Sequence, residues 1–121
     1  MSPIDPDAML LPYYAALFVA IVMGVGGQLL FKAGAERSSD LLRQFLDPLT
    51  LSAFALYAVS AVLYAASLRK LPLSVAFPSV ALSYVAVALA SHLLWHEPLG
   101  WPRVSGIALI VAGVVLLNLR T

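Results

Sequence analysis

The sequence predicts an all-α membrane protein, a single domain over residues 1–121 with four transmembrane helices. Composition is the first reason. Hydrophobic residues make up 62% of the chain and charged residues 11%, whereas a soluble domain uses about a quarter of its residues as charges to coat its surface. The second is the placement of those charges, which gather between long stretches free of Asp, Glu, Lys and Arg. The third is proline. Pro12, Pro48, Pro72 and Pro102 each stand at or just before the start of such a stretch, where a missing N–H costs nothing.

The spans follow in order as residues of about 12–32, 49–68, 71–95 and 102–119. A helix needs roughly 20 apolar residues to cross ~30 Å of hydrocarbon, and the first three meet that. The fourth is shorter; Trp101 extends it as an interfacial anchor, with Arg103 and Arg120 snorkelling to the headgroups. Pro78 falls inside the third span and predicts a kink with a freed backbone carbonyl. Ahead of the first span, Met1 to Leu11 carries Asp5 and Asp7 and no basic residue. That is not the start of a secretory signal, so the first apolar run is expected to stay in the mature protein.

The connections are short. Residues 69–71 allow a tight hairpin and residues 96–103 a modest loop. In the 32–48 connection, Leu41, Leu42, Phe45 and Leu46 fall on one face and Arg43, Gln44 and Asp47 on the other, the pattern of a short amphipathic helix on the membrane surface. No stretch remains for a soluble catalytic domain.

With four spans, Arg69, Lys70 and Arg120 share one side, and Lys32, Arg37, Arg43 and Arg103 the other. Basic residues in short loops set topology, and this near balance permits insertion both ways; the alternative is one orientation fixed by Arg69 and Lys70. Two oppositely inserted copies would pair as an antiparallel dimer and supply the inverted symmetry that many transporters build from internal repeats.

Ala16, Ala20, Gly24, Gln28 and Lys32 lie along one ridge of the first helix. The ridge reads either as a helix-packing seam, with Gln28 bonded to a neighbour, or as a seam that opens into a polar cleft where Gln28 and Lys32 meet an anionic headgroup. On the fourth helix Gly106, Leu109, Ile110 and Gly113 form a second candidate interface, for dimerisation. Ser79, Ser83 and Tyr84 bring hydroxyls into the third span, bonded to the preceding turn or turned to a substrate. Near its end stand His92, His96 and Glu97. They lack a third ligand at metal-site spacing, and Glu97 is placed to pair with Lys32 or Arg103.

Several function classes drop out. The net charge of +1 with scattered basic residues gives no footprint for nucleic acid. The chain has no Cys, and no nucleophile–base or paired-carboxylate constellation, so neither an enzyme nor a cofactor is indicated. No Asp or Glu lies within a span, which removes the usual intramembrane proton carrier.

The stretches Gly27-Gln28-Leu-Leu-Phe-Lys32, Leu71-Pro72-Leu-Ser-Val-Ala76-Phe77-Pro78 and Leu94-Trp95-His96-Glu97-Pro98 resemble the small four-helix subunits of the 4-amino-4-deoxy-L-arabinose-phosphoundecaprenol flippase. That family is related to the small multidrug resistance transporters within the EamA-like drug/metabolite transporter superfamily. The run from Gly106 to Val114 resembles the dimerisation motif of the multidrug members. Their drug- and proton-binding glutamate falls on Gly24, and their aromatic pair on Phe77 and Val80. The resemblance therefore implies their dimeric, antiparallel architecture and not their coupling chemistry.

It also implies a multi-pass protein of the bacterial inner membrane. Its substrate would be a polyprenyl-phosphate-linked sugar, and its partner a second copy or a related four-helix subunit. In that function Lys32 and Arg103 attract the phosphate, Gln28, Ser83 and Tyr84 offer hydrogen bonds deeper in, and Glu97 lies beside them. A small multidrug or metabolite exporter, and a non-transporting assembly subunit of a membrane enzyme, remain as alternatives.

Overall fold

The computed structural model describes residues 6–119, with side chains from residue 9 onward. The acidic Asp5 and the proposed Arg120 snorkel lie outside the described residues. Within them the chain folds into α1 (Pro6–Arg37), α2 (Leu41–Leu46), α3 (Pro48–Ser67), α4 (Leu73–Val80), α5 (Leu82–Trp95) and α6 (Trp101–Leu117).

The start of α1 differs from the expectation that Pro12 marks it. The helix begins at Pro6 and carries Pro12 inside. In its second turn the proline ring removes only the bond that its own nitrogen would have given to Ala8, and the helix continues. At the other end α1 passes Lys32 and runs to Arg37, with Lys32 Nζ 2.7 Å from the Glu36 carboxylate one turn on. Three further prolines stand at helix starts as expected: Pro48 and Pro102 in the first turns of α3 and α6, Pro72 as the N-cap of α4.

Pro78 kinks the third span. Its nitrogen cannot reach the Ser74 carbonyl, and the helix breaks at Ala81, whose N–H bonds the Pro78 carbonyl at 2.9 Å while its own carbonyl accepts from Tyr84 at 3.0 Å. The connection after α1 forms the expected short helix. Asp40 caps α2 by accepting from the Arg43 N–H at 2.8 Å, and Phe45 stacks on Phe54 of α3, ring centres 6.3 Å apart. Leu41, Leu42 and Leu46 stay exposed.

The packing departs from that of a soluble bundle at its surface: around a core that includes Leu17, Leu71 and Ala76, the outer faces are apolar too. Thr50, Ser60, Ser67 and Ser79 are buried, whereas Phe18, Val62, Leu93, Leu109 and Leu116 are exposed. The buried serines are satisfied by carbonyls: Ser60 donates to Ala20 at 2.8 Å, Ser67 to Tyr64 at 2.6 Å and Ser79 to Val75 at 2.7 Å. Apolar faces turned outward over whole helices fit a lipid surround. Met9–Arg37, Pro48–Ser67 and Leu73–Trp95 are long and apolar enough to cross a membrane, and Trp101–Leu117 is apolar but shorter, ~26 Å at the helical rise. The chain is a multi-pass, all-helical membrane protein.

Two helices carry most of the packing. α1 lies along α3 with its glycines at the seam: a Cβ on Gly27 would stand 2.8 Å from the Tyr57 ring, and one on Gly34 would run into the Thr50 side chain. α6, in contrast, rests on α4 and α5 at the flank.

Candidate functional site

Beside the α1–α3 seam the kinked third span leaves a groove. It consists of two adjoining hollows, an inner one of about 270 Å³ and an outer one of about 550 Å³. Gln28, Tyr57, Phe77, Val80 and Ser83 line both, so the hollows are continuous. The inner one runs along α3 past Ser60 to Tyr64, and the outer one leads past Tyr84 and Ser91 to Glu97 and Arg103.

Each wall has a local cause. On α1, Gly24 lines the inner hollow, the position of a missing Cβ 3.6 Å from Ser60 Oγ; a larger residue there would fill the space. One turn on, Gln28 is exposed in the groove and its Nε2 donates to the Tyr57 hydroxyl at 2.7 Å. The Tyr57 ring is set by Phe31, 5.8 Å away centre to centre, and Phe31 by an edge-on contact with Phe54 at 4.9 Å. The first-helix ridge is divided between seam and groove. Ala20 is buried in the seam, while Gln28 is bonded to a neighbour and still faces the groove. At the inner end the Tyr64 hydroxyl is enclosed and has no hydrogen-bond partner among the described residues.

The mouth is ionic. α5 ends at His96, which takes a left-handed backbone with φ 56°, a conformation that costs a non-glycine residue about 1 kcal/mol. The turn is pinned on both sides: the Glu97 N–H reaches the Ser91 carbonyl at 3.4 Å, and His92 Nδ1 lies 2.8 Å from the Glu97 carbonyl. It holds the half-buried Glu97 side chain over the groove. Glu97 stands 3.9 Å from Lys32 Nζ, which is closer to Glu36 at 2.7 Å. Arg103 donates from Nη1 to the Pro98 carbonyl at 3.1 Å and has no carboxylate within ion-pair distance among the described residues.

Of the residues singled out from the sequence, Gln28, Ser83, Tyr84, Glu97 and Arg103 line the groove. Lys32 lies one helical turn beyond Gln28, outside the lining, joined to the mouth through Glu97. Gly106, Leu109, Ile110 and Gly113 belong to a different surface of the molecule; Leu109 is exposed, and a Cβ on either glycine would have nothing within 4 Å. Sequence reasoning missed Tyr57, Ser60 and Tyr64. Their signal was a stripe, because Thr50, Tyr57, Ser60, Tyr64 and Ser67 recur at threes, fours and sevens along one face of an otherwise apolar span. Among the described residues no three metal-ligating side chains converge. The groove can offer hydroxyl and amide hydrogen bonds inside and the opposite charges of Glu97 and Arg103 at its mouth.

The family model for EamA-like transporters matches residues 8–119. The chain belongs to the EamA-like transporter family. Among curated relatives of this EamA-like chain is the probable 4-amino-4-deoxy-L-arabinose-phosphoundecaprenol flippase subunit ArnE of Enterobacter sp. (strain 638), 30% identical over 105 residues, which are 87% of this chain and 95% of the relative. The ArnE of Sodalis glossinidius (strain morsitans) is 32% identical over 109 residues, 88% of this chain and 97% of that one. The probable ArnF subunit of the same flippase in Shewanella sediminis (strain HAW-EB3) is 42% identical over 84 residues, 66% of this chain and 58% of the relative. No solved structure matches the chain.

Proposed function

We propose that this chain is a subunit of a flippase that moves an undecaprenyl-phosphate-linked, aminoarabinose-like sugar across the bacterial inner membrane. The observation that carries the reading is the continuous groove, whose largely apolar walls carry Gln28, Tyr57, Ser83 and Tyr84 along their length and Glu97 and Arg103 at the mouth, set among helices whose other faces are apolar. The relatives named for that flippase support the substrate class. A polyprenyl tail can remain in hydrocarbon while its phosphate and sugar must cross, and an unaccompanied charge in hydrocarbon is very costly. A groove lined by Gln28, Tyr57, Ser60, Ser83 and Tyr84 replaces water along that path with hydrogen bonds.

In this reading Arg103 and Lys32 receive the phosphate, and Gln28 with Tyr57 takes the headgroup inward. α6 completes four spans, with Trp101 and Arg103 reaching the interface. The face of Gly106, Leu109, Ile110 and Gly113 meets a second four-helix subunit in antiparallel orientation. Relatives named for two different subunits, ArnE and ArnF, favour a related chain over an identical copy as that partner. Alternating access comes from rocking of the two subunits about the Pro78 kink.

The test is reconstitution in liposomes with a labelled polyprenyl-phosphate sugar, with and without the partner subunit, read by leaflet-specific modification. The expected outcome is flipping that Gln28→Ala and Lys32→Ala each slow by roughly tenfold, the loss of a hydrogen bond to a charged group. Rates equal to protein-free vesicles, with the partner present, would end the reading; full rates in both variants would remove the site assignment.

A further inference from the structure

The mouth of the groove is lined by one carboxylate and one cation, Glu97 and Arg103, with a second balanced pair, Lys32 and Glu36, just outside the lining. A headgroup bearing only a phosphate gains no net attraction from such a set. Lys32 already has a counter-ion in Glu36 at 2.7 Å, and Glu97 reaches it only at 3.9 Å, so Glu97 is not required to neutralise Lys32. Arg103, in turn, lines the same hollow as Glu97 without an ion pair to it or to any other carboxylate among the described residues. A guanidinium with no counter-ion among the described residues and a loosely held carboxylate therefore face one space, with a gap between them wider than ion-pair distance. The pinned turn at His96, with its left-handed backbone, fixes the Glu97 side of that gap.

Resting on the flippase reading, we propose that Glu97 determines specificity by receiving the sugar's ammonium group while Arg103 receives the phosphate, so that the mouth selects a zwitterionic headgroup over one of equal size that carries phosphate alone. A phosphodiester with one ammonium group has no net charge, as the mouth has none. Binding it exchanges the weak Lys32–Glu97 contact for two charge-assisted bonds, whereas a phosphate-only headgroup gains one bond and leaves Glu97 beside an anion. Further in, the Tyr57 hydroxyl and the Gln28 amide carry no charge and serve either headgroup equally. The discrimination is thus confined to the mouth.

Two short-chain polyprenyl phosphodiesters test this, one carrying a 4-aminopentose and the other the same pentose with hydroxyl in place of the amine. Binding to the purified full-length chain, alone and with its partner subunit, is measured by calorimetry, and flipping of both lipids is measured in liposomes. The wild type should bind the amino lipid roughly tenfold more tightly, the strength of one charge-assisted hydrogen bond. Glu97→Gln should abolish that preference by weakening the amino lipid alone, and Glu97→Asp should retain part of it. Equal weakening of both lipids in Glu97→Gln would make Glu97 merely a support for Lys32 and overturn the proposal, as would a wild type that binds both lipids alike or neither. The two readings fail separately. A preference in binding without any flipping sinks the flippase and leaves the amine reader standing, while flipping of both lipids at one rate does the reverse.

Discussion

The α1–α3 seam and the α6 flank are both built with glycine on apolar helices, and the structure uses the glycines in opposite ways. In the seam, Gly27 and Gly34 are buried and pressed against Tyr57 and Thr50; their lack of a side chain lets two helices approach closely enough to fix the groove floor. On α6, Gly106 and Gly113 face open space. A helical glycine costs up to about 1 kcal/mol relative to alanine, and nothing inside the chain offsets that cost on α6. The difference separates the glycines that join two helices of the chain from those on the face proposed for a second subunit, and it can be attacked from either side.

The largest effect should come from the seam. Gly34→Val drives a branched side chain into Thr50, whose backbone nitrogen would stand 3.2 Å from the new Cβ and, unlike the end of a flexible side chain, cannot rotate aside. Overpacking of this kind costs about 1–3 kcal/mol. Thermal unfolding in detergent should report that loss together with weaker lipid binding. Gly113→Ile is the counterpart on the flank. With nothing within 4 Å to obstruct it, it should leave protomer stability within about 0.5 kcal/mol of wild type and abolish association with the partner subunit, seen by native mass spectrometry or cross-linking. An unchanged complex would mean that this face looks only at lipid.

The same contrast explains how much the sequence disclosed. The spans were legible because charge is too costly in hydrocarbon to be placed casually: Arg69, Lys70 and Arg103 fall within two or three residues of helix ends, whereas Lys32 stands inside α1, which runs on to Arg37. The groove was legible from α1, where Gln28 interrupts a ridge of small residues. It was not legible from α3. Tyrosine and serine are ordinary in membrane helices, so Tyr57, Ser60 and Tyr64 blend with their neighbours until their shared face is placed against Gly24 and Gln28. The start of α1 was misread for a related reason, since Pro12 satisfies the rules for a first turn and equally those for a tolerated interior proline.

Tyr57→Phe sharpens the comparison within the seam itself. It removes the hydroxyl that accepts from Gln28 at 2.7 Å and leaves the ring beside Gly27 and Phe31 intact. A net hydrogen bond is worth about 1 kcal/mol, so headgroup affinity or flipping should change by roughly fivefold with stability almost unmoved. A stability loss as large as that of Gly34→Val would show that the pair is structural and that Gln28 serves the seam alone.

The smallest effect belongs to the clasp at the edge of the seam, where Arg37 at the end of α1 meets Asp47 at the start of α3 at 2.7 Å. The hydrogen bond from Arg37 is the main cause that holds the Asp47 carboxyl below the usual carboxylate range, and burial opposes it only in part. A lowered folded-state value means that the clasp stabilises fully above the ordinary aspartate value of about 3.9 and fades as pH falls through the lowered one. Asp47→Asn tests this without disturbing the α3 cap, because asparagine caps helices as well as aspartate does. The variant should unfold slightly more readily than wild type at neutral pH, and the gap should close only toward strongly acid pH. The Arg37 side chain is half exposed, so salt should shrink the difference as well. A gap that persists at low pH and high salt would take the ionic clasp out of the account of how α1 and α3 are joined, and leave Asp47 with only its cap, the 2.8 Å bond from the Leu49 N–H, which the asparagine keeps.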